Sequence, residues 1–117
     1  MSYAHAAYAK THTAGLSARS TEAEALLKAA TLLNEASQDR NNVNLLMKAL
    51  NYNHKLWTVI EADLKSPENE LPDGVRDDLL VLSRFMSKEI ARATQRPEAA
   101  ALGAMVSINR NVANGLL

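Results

Sequence analysis

Four stretches of the chain repeat apolar residues three or four positions apart, with polar or proline-containing segments between them. This spacing predicts helices near residues 21–38, 43–64, 73–95 and 97–114. The second stretch has the widest apolar face, which is typical of a central helix that touches several neighbours. Short connections between long helices favour antiparallel neighbours, so the pattern predicts an all-α fold, a small bundle of four main helices.

Residues 3–12 predict an additional short helix at the start of the chain. They are rich in alanine, and Tyr3 and Tyr8 are their only bulky apolar side chains. A helix of this length is marginal in water unless it packs on something. We therefore expect a weakly docked N-terminal helix, with residues 1–14 as a mobile segment.

The helix ends are predicted from capping and breaking residues. Gly15 and the polar residues up to Ser20 predict a linker, and Thr21 with Glu24 matches a capping box that would begin the next helix. Pro97 suits the first position of the last helix, and Gly115 suits its end. The helix near 43–64 has three candidate caps, which are Asn41, Asn42 and Asn44.

The stretch near 73–95 also predicts which of its residues are buried. Its apolar stripe comprises Val75, Leu79, Leu82, Met86 and Ile90, and we expect Phe85 to reinforce it.

Composition supports the helical prediction. The 117 residues include 20 Ala and 17 Leu but only nine Val and Ile together, and Ala and Leu favour helix over strand. Thirteen basic and thirteen acidic residues give a net charge of zero, which argues against nucleic-acid binding driven by bulk charge. No secretory signal or membrane-spanning run is evident. We expect one domain over residues 1–117, located in the cytoplasm.

The search for catalytic chemistry finds little. The chain lacks cysteine, and its three histidines, His5, His12 and His54, have no neighbouring carboxylates that would complete a metal site. No phosphate-binding, dinucleotide-binding, metalloprotease or hydrolase motif is present. We interpret the histidines as surface or capping residues rather than ligands, and we expect no enzyme activity, no metal and no cofactor.

A basic ridge is predicted on the third main helix, where Arg84, Lys88, Arg92 and Arg96 recur every four residues. One interpretation is a contact surface for an acidic partner or for RNA phosphates. The other is a solvated face that complements the helix dipole and the nearby acidic residues. The ridge shows no interleaved aromatic residue that could stack on a base, so we favour the second interpretation.

Asn53, Asn109 and Trp57 stand out because the two asparagines fall on apolar stripes and Trp57 is the only tryptophan. A buried asparagine must form hydrogen bonds or it destabilises the fold by about 1–3 kcal/mol. The asparagines could bond between helices, or they could line a groove where another helix docks. We expect the helices that carry them to be adjacent, and we favour a core position for Trp57 over a binding hot spot.

Several segments together resemble the flagellar FlaF family. They are ALNYNHKLWT at residues 49–58, ELP at 70–72, the segment 82–85 and INRNVANGL at 108–116, and Tyr8 with the helix start at 21–24 fits the same pattern. The resemblance runs in order along essentially the whole chain. It implies a small cytoplasmic protein that supports flagellin synthesis or secretion, alongside FlbT, a regulator with the opposite effect on flagellin expression. It supplies no catalytic residues.

The resemblance is compatible with three functions. The first is a flagellin-binding export chaperone or adaptor, which would receive a terminal amphipathic helix of flagellin in an apolar groove. The second is a post-transcriptional regulator that acts on flagellin mRNA, directly or through FlbT. A module that binds another flagellar protein is a third. We expect a monomer or weak homo-oligomer without direct RNA or membrane binding, and the candidate partner contacts are Tyr3, Tyr8, Asn53, Trp57 and Asn109.

Overall fold

A computed structural model describes the backbone of residues 3–116 and the side chains of residues 19–115. The elements are α1 (Tyr3–Gln38), α2 (Val43–Leu64), α3 (Asp73–Gln95), a 3-10 turn (Pro97–Ala99) and α4 (Leu102–Leu116). The described backbone contains helices, turns and loops but no strand. The all-α prediction with four main helices is therefore confirmed, and no described helix has the length and hydropathy needed to cross a membrane.

The predicted break near the start of the chain is wrong, because α1 continues from Tyr3 to Gln38 without a linker. Thr21 lies inside the helix and does not begin it. A single interior glycine such as Gly15 costs only about 1 kcal/mol relative to alanine, which is too little to end a helix with so many alanines around it. Two predictions fall on residues whose side chains lie outside those that the structure describes. They are the partner contacts of Tyr3 and Tyr8 and the mobility of residues 1–14.

The other helix ends follow the sequence more closely. Asn42 caps α2, since its Oδ1 accepts a hydrogen bond of 3.0 Å from the backbone N–H of Leu45. Pro97 opens a 3-10 turn instead of α4, which begins only at Leu102. The reason is that Ala100 has an extended backbone (φ −65°, ψ 125°) that separates the turn from the helix.

The core is aliphatic and rich in alanine. α1 packs most extensively on α4 and also on α2, while α2 packs on α3. The buried face of α1 alternates leucines with the fully buried Ala23, Ala30 and Ala36, and such small residues let helices approach closely. α3 and α4 are not closely packed along their lengths. This leaves one side of the bundle open, and the candidate site lies there.

Candidate functional site

The first half of α3 is poorly covered by the rest of the bundle. The buried residues of this helix begin only near its midpoint, and they are Ser83, Met86, Ile90 and Ala93. In the first half Leu79 is only half-buried, and Val75 is 46% exposed. Both had been predicted to lie in the core. The apolar stripe of α3 therefore continues beyond the part that the bundle covers.

The uncovered stripe forms one wall of a groove, which we call the α3–α4 groove. It has a volume of about 280 Å³ and is lined by Val75, Leu79, Asn111, Val112 and Gly115. The space beside Gly115 is open, because a Cβ built at this position would meet no atom within 4 Å. The walls thus offer apolar side chains from two helices with open space between them.

The groove leads towards the core. A smaller apolar cavity of about 30 Å³ shares Leu79 and Val112 with the groove, and its other walls include the core residues Leu26, Ile60 and Leu64. An apolar side chain that entered the groove would therefore meet a hydrophobic floor. This arrangement is typical of sites that receive the apolar face of a helix.

Carboxylates surround this end of the bundle. Glu22 and Asp63 line the small cavity, and with Glu68 and Glu70 they also line a neighbouring cavity of about 230 Å³. Burial raises the pKa of the Glu22 carboxyl above its ordinary value, and the neighbouring Asp63 carboxylate raises it further. Arg19 also lines the larger of these two cavities, so the carboxylates beside the groove outnumber the cations by four to one. This balance favours a ligand with positive charge beside its apolar face.

A chain of buried hydrogen bonds connects three helices close to the groove. Trp57 Nε1 donates to Asn109 Oδ1 at 2.8 Å, and Asn109 Nδ2 donates to Asn53 Oδ1 at 2.8 Å. Asn53 Nδ2 then lies 3.5 Å from Met86 Sδ and 3.9 Å from Met105 Sδ. Asn53 and Asn109 are 0% exposed, and Trp57 is 2% exposed. We call Trp57, Asn109 and Asn53 the polar chain.

The direction of the polar chain is set by chemistry. An indole N–H can only donate, so the Asn109 amide must turn its oxygen towards Trp57. Its NH₂ group then faces Asn53, which must accept through its own oxygen. The remaining NH₂ group of Asn53 is left with two thioethers, which are weak acceptors. Each side chain therefore has one orientation that satisfies its neighbour.

Of the two interpretations left open for the asparagines, hydrogen bonding between helices is the one observed, and the core position of Trp57 is confirmed. The helices themselves are less close than expected, since α2 and α4 meet through these side chains and not through close backbone packing. No surface of the polar chain is available to a partner in this arrangement, and its role in partner binding stays a prediction. Asn109 precedes Val112 by one helical turn, so the polar chain lies next to the wall of the α3–α4 groove.

In a comparison with protein families, the chain matches the family described as flagellar protein FlaF over residues 4–116. The chain belongs to the FlaF family. The resemblance found in the sequence is therefore confirmed, and the function of the protein is flagellar. No curated protein and no solved structure matches the chain. The site in this FlaF-family protein therefore rests on its own geometry.

Within the basic ridge, Arg92 differs from the other three residues because it contacts the turn that follows α3. Arg92 Nη2 donates to the backbone oxygen of Ala99 at 2.9 Å, and its Nη1 lies 3.9 Å from Glu89 Oε1, so this arginine holds the turn between α3 and α4. Arg84, Lys88 and Arg96 are exposed. Phe85, which was predicted to reinforce the core, is 36% exposed and lies among them. The ridge therefore does include an aromatic residue, contrary to the prediction.

The sequence analysis missed the α3–α4 groove. Val75 and Leu79 were interpreted as core, because an apolar stripe at helical spacing looks the same whether or not another helix covers it. One signal was present: the short last helix ends in Val112-Ala113-Asn114-Gly115, where a glycine follows the apolar stripe by one turn.

Among the described residues, no group of three or more metal-ligating side chains is found, and the described histidine, His54, is exposed.

Proposed function

We propose that this FlaF-family protein binds flagellin as a cytoplasmic export chaperone or adaptor, and that the α3–α4 groove receives a terminal amphipathic helix of flagellin. The observation that carries the proposal is the groove itself, an apolar site of about 280 Å³ between two helices that are not packed on each other. Flagellin termini have apolar faces that stay unpaired until they enter the filament, so they need such a cover.

The chemistry of the site supports this mode of binding. Val75 and Leu79 are one turn apart on α3, and Val112 faces them from α4. A docked helix would therefore meet apolar contacts on both sides, and its own anchors would follow the i, i+3/i+4, i+7 spacing. Glu22 and Asp63, which line the small cavity that adjoins the groove, favour basic or uncharged flanks on the docked helix.

The test is a pair of matched valine substitutions. Val75 lines the groove and is 46% exposed, while Val59 lies on α2 away from it and is 63% exposed. Since both side chains already contact water, Val75→Glu and Val59→Glu should leave the fold intact, which circular dichroism would check. We expect Val75→Glu to weaken binding of purified monomeric flagellin at least about tenfold, because a charge is placed on an apolar wall. Val59→Glu should bind as the wild type does.

Filling the groove gives an independent check. Gly115 and Gly103 both have open space around the position of a Cβ, but only Gly115 lines the groove. Gly115→Phe should therefore compete with flagellin, and Gly103→Phe should not. Equal binding by Val75→Glu, Gly115→Phe and their controls would show that flagellin does not use this groove.

A second candidate function is post-transcriptional regulation through flagellin mRNA, directly or with FlbT as a partner. The exposed Phe85 beside Arg84 and Lys88 favours it, because an aromatic ring between cations can stack on a base while the cations contact phosphates. The double variant Arg84→Glu/Lys88→Glu separates the two functions. If the transcript is the ligand, this variant should lose transcript binding, and Val75→Glu should keep it. If flagellin is the ligand, Val75→Glu should lose flagellin binding, and the double variant should keep it.

A further inference from the structure

On the outward face of α3, the acidic and the basic residues lie in different parts of the helix. Asp77 and Asp78 lie in the first half, Arg84 lies at the middle and Lys88 in the second half, and all four are exposed. None of the four has an opposite charge three or four residues away on the helix, the spacing at which helical side chains pair. In the described part of the chain, none of them forms an ion pair.

The helix dipole does not explain this arrangement. The dipole acts mainly on charges in the first and last turns of a helix. α3 runs from Asp73 to Gln95, so Asp78 lies beyond the first turn and Arg84 lies in the middle. Arg84 and Lys88 are instead like charges at i, i+4, which weakens an isolated helix. The separation of acidic from basic residues along α3 therefore needs another explanation.

Two exposed apolar side chains lie between Asp78 and Lys88 on this face. Val81 is 58% exposed and Phe85 is 36% exposed, and they are one turn apart on the face that carries the charges. Along the line from Asp78 to Lys88 the order is thus acidic, apolar, basic, with Arg84 beside the apolar pair. Asp78, Val81, Phe85 and Lys88 follow each other at spacings of three, four and three, the pattern of a seam between two packed helices.

We propose that this face is a symmetric homodimer interface, in which α3 packs antiparallel on α3 of a second copy. A two-fold axis passing between Val81 and Phe85 places Val81 opposite Phe85 of the other copy. The same axis places Asp78 opposite Lys88, since each lies five residues from the centre of the seam. Asp77 lies six residues from the centre and also approaches Lys88 of the other copy, so the charges are complementary at both ends of the seam. Arg84 lies one residue from the centre, beside Arg84 of the other copy.

A second copy accounts for the face better than other occupants do. An acidic partner would pair with Arg84 and Lys88 but would be repelled by Asp77 and Asp78, and RNA would meet the same repulsion. An isologous interface uses both ends of the face, because the end with Asp77 and Asp78 meets the Lys88 end of the other copy. The α3–α4 groove lies on the other side of α3 and stays open in this dimer. The proposal therefore does not depend on flagellin binding.

The test is sedimentation of the full-length protein over about a hundredfold range of concentration, with paired charge reversals. Exposed ion pairs each contribute little and are screened by salt, so the expected dimer is weak and dissociates further as the salt concentration rises. The all-acidic variant Arg84→Glu/Lys88→Glu and the all-basic variant Asp77→Lys/Asp78→Lys should each be monomeric. Mixed in equal amounts, they should form a heterodimer at least about tenfold tighter than the wild-type homodimer, because every pair is then attractive.

The mixing experiment decides the proposal even if one variant is less stable, because complementary charge restores association only if the two patches face each other. Circular dichroism of each variant checks that it is folded. A wild-type protein that stays monomeric at all concentrations overturns the proposal. A dimer that survives either charge reversal, or variants that do not associate when mixed, overturns the antiparallel arrangement on α3.

Discussion

Replacing Asn109 by Leu should destabilise the protein far more than the same replacement at an exposed asparagine. Asn109 is the middle member of the polar chain, where its oxygen accepts from Trp57 and its NH₂ group donates to Asn53, each at 2.8 Å. Leu keeps the branched shape of Asn but can neither accept nor donate. The variant therefore leaves a buried donor and a buried acceptor without partners.

The size of the effect follows from these two groups. Each stranded buried polar group costs about 1–3 kcal/mol, so the free energy of unfolding should fall by about 2–6 kcal/mol. That is a large share of the roughly 5–15 kcal/mol that stabilises a domain of this kind. At this chain length 1 kcal/mol corresponds to about 4 °C in melting temperature, so we expect a fall of at least about 8 °C.

The assay is thermal and urea unfolding followed by circular dichroism, with Asn51→Leu as the control. Asn51 lies on α2, two residues from Asn53, but is exposed. It should change the melting temperature by no more than about 2 °C, as surface substitutions usually do. The Asn109→Leu variant should unfold at a clearly lower temperature and urea concentration.

A double-mutant cycle tests the direction of the polar chain. Trp57→Phe alone should destabilise the protein by about 1–3 kcal/mol or more, because Asn109 Oδ1 loses its donor. In the Asn109→Leu background the same change should stabilise it, because the orphaned indole N–H disappears and the smaller ring makes room for Leu. Additive effects of the two changes, or an Asn109→Leu variant that melts like Asn51→Leu, would refute the account.

Two further predictions concern single side chains. Burial raises the pKa of Glu22, so the folded protein binds this proton more tightly than the unfolded chain, and the ionised group costs stability at neutral pH. Glu22→Gln should therefore melt higher than wild type at about pH 7. The gap should close as the pH falls through the raised pKa and below the ordinary value of 4.5, and Glu24→Gln, an exposed control, should show no such gap. Arg92→Gln should lose at most about 1 kcal/mol of stability but speed amide exchange at Ala99, whereas Arg96→Gln, whose side chain is exposed, should not.

The sequence predicted the helices well because their signals are local. Apolar spacing, the cap at Asn42 and the prolines at helix boundaries act within a few residues of each other, so the limits of α2 and α3 followed from them. The break before Thr21 was predicted wrongly because a capping box and a glycine compete with the helix propensity of many alanines. Their relative strength cannot be read from the motif alone.

The polar chain could be predicted in part, and the groove could not. An asparagine on an apolar stripe must form a hydrogen bond when it is buried, and this requirement identified Asn53 and Asn109. It did not determine which atoms would be their hydrogen-bond partners. Whether Val75 and Leu79 are covered depends instead on how far α3 lies from α4, which is a property of the packing of the whole bundle. The exposure of Phe85 has the same origin, since a residue at the edge of a stripe is buried only if a neighbour reaches it.

The most direct test of the central claim is amide hydrogen exchange of the protein with and without purified monomeric flagellin. If flagellin occupies the α3–α4 groove, exchange should slow in residues 73–82 and 108–115, the parts of α3 and α4 that form its walls. The exposed surface of α2 around Val59 should be unchanged and serves as an internal control. Protection that spares both walls of the groove, or protection confined to the outward face near Arg84 and Lys88, would contradict the proposed site.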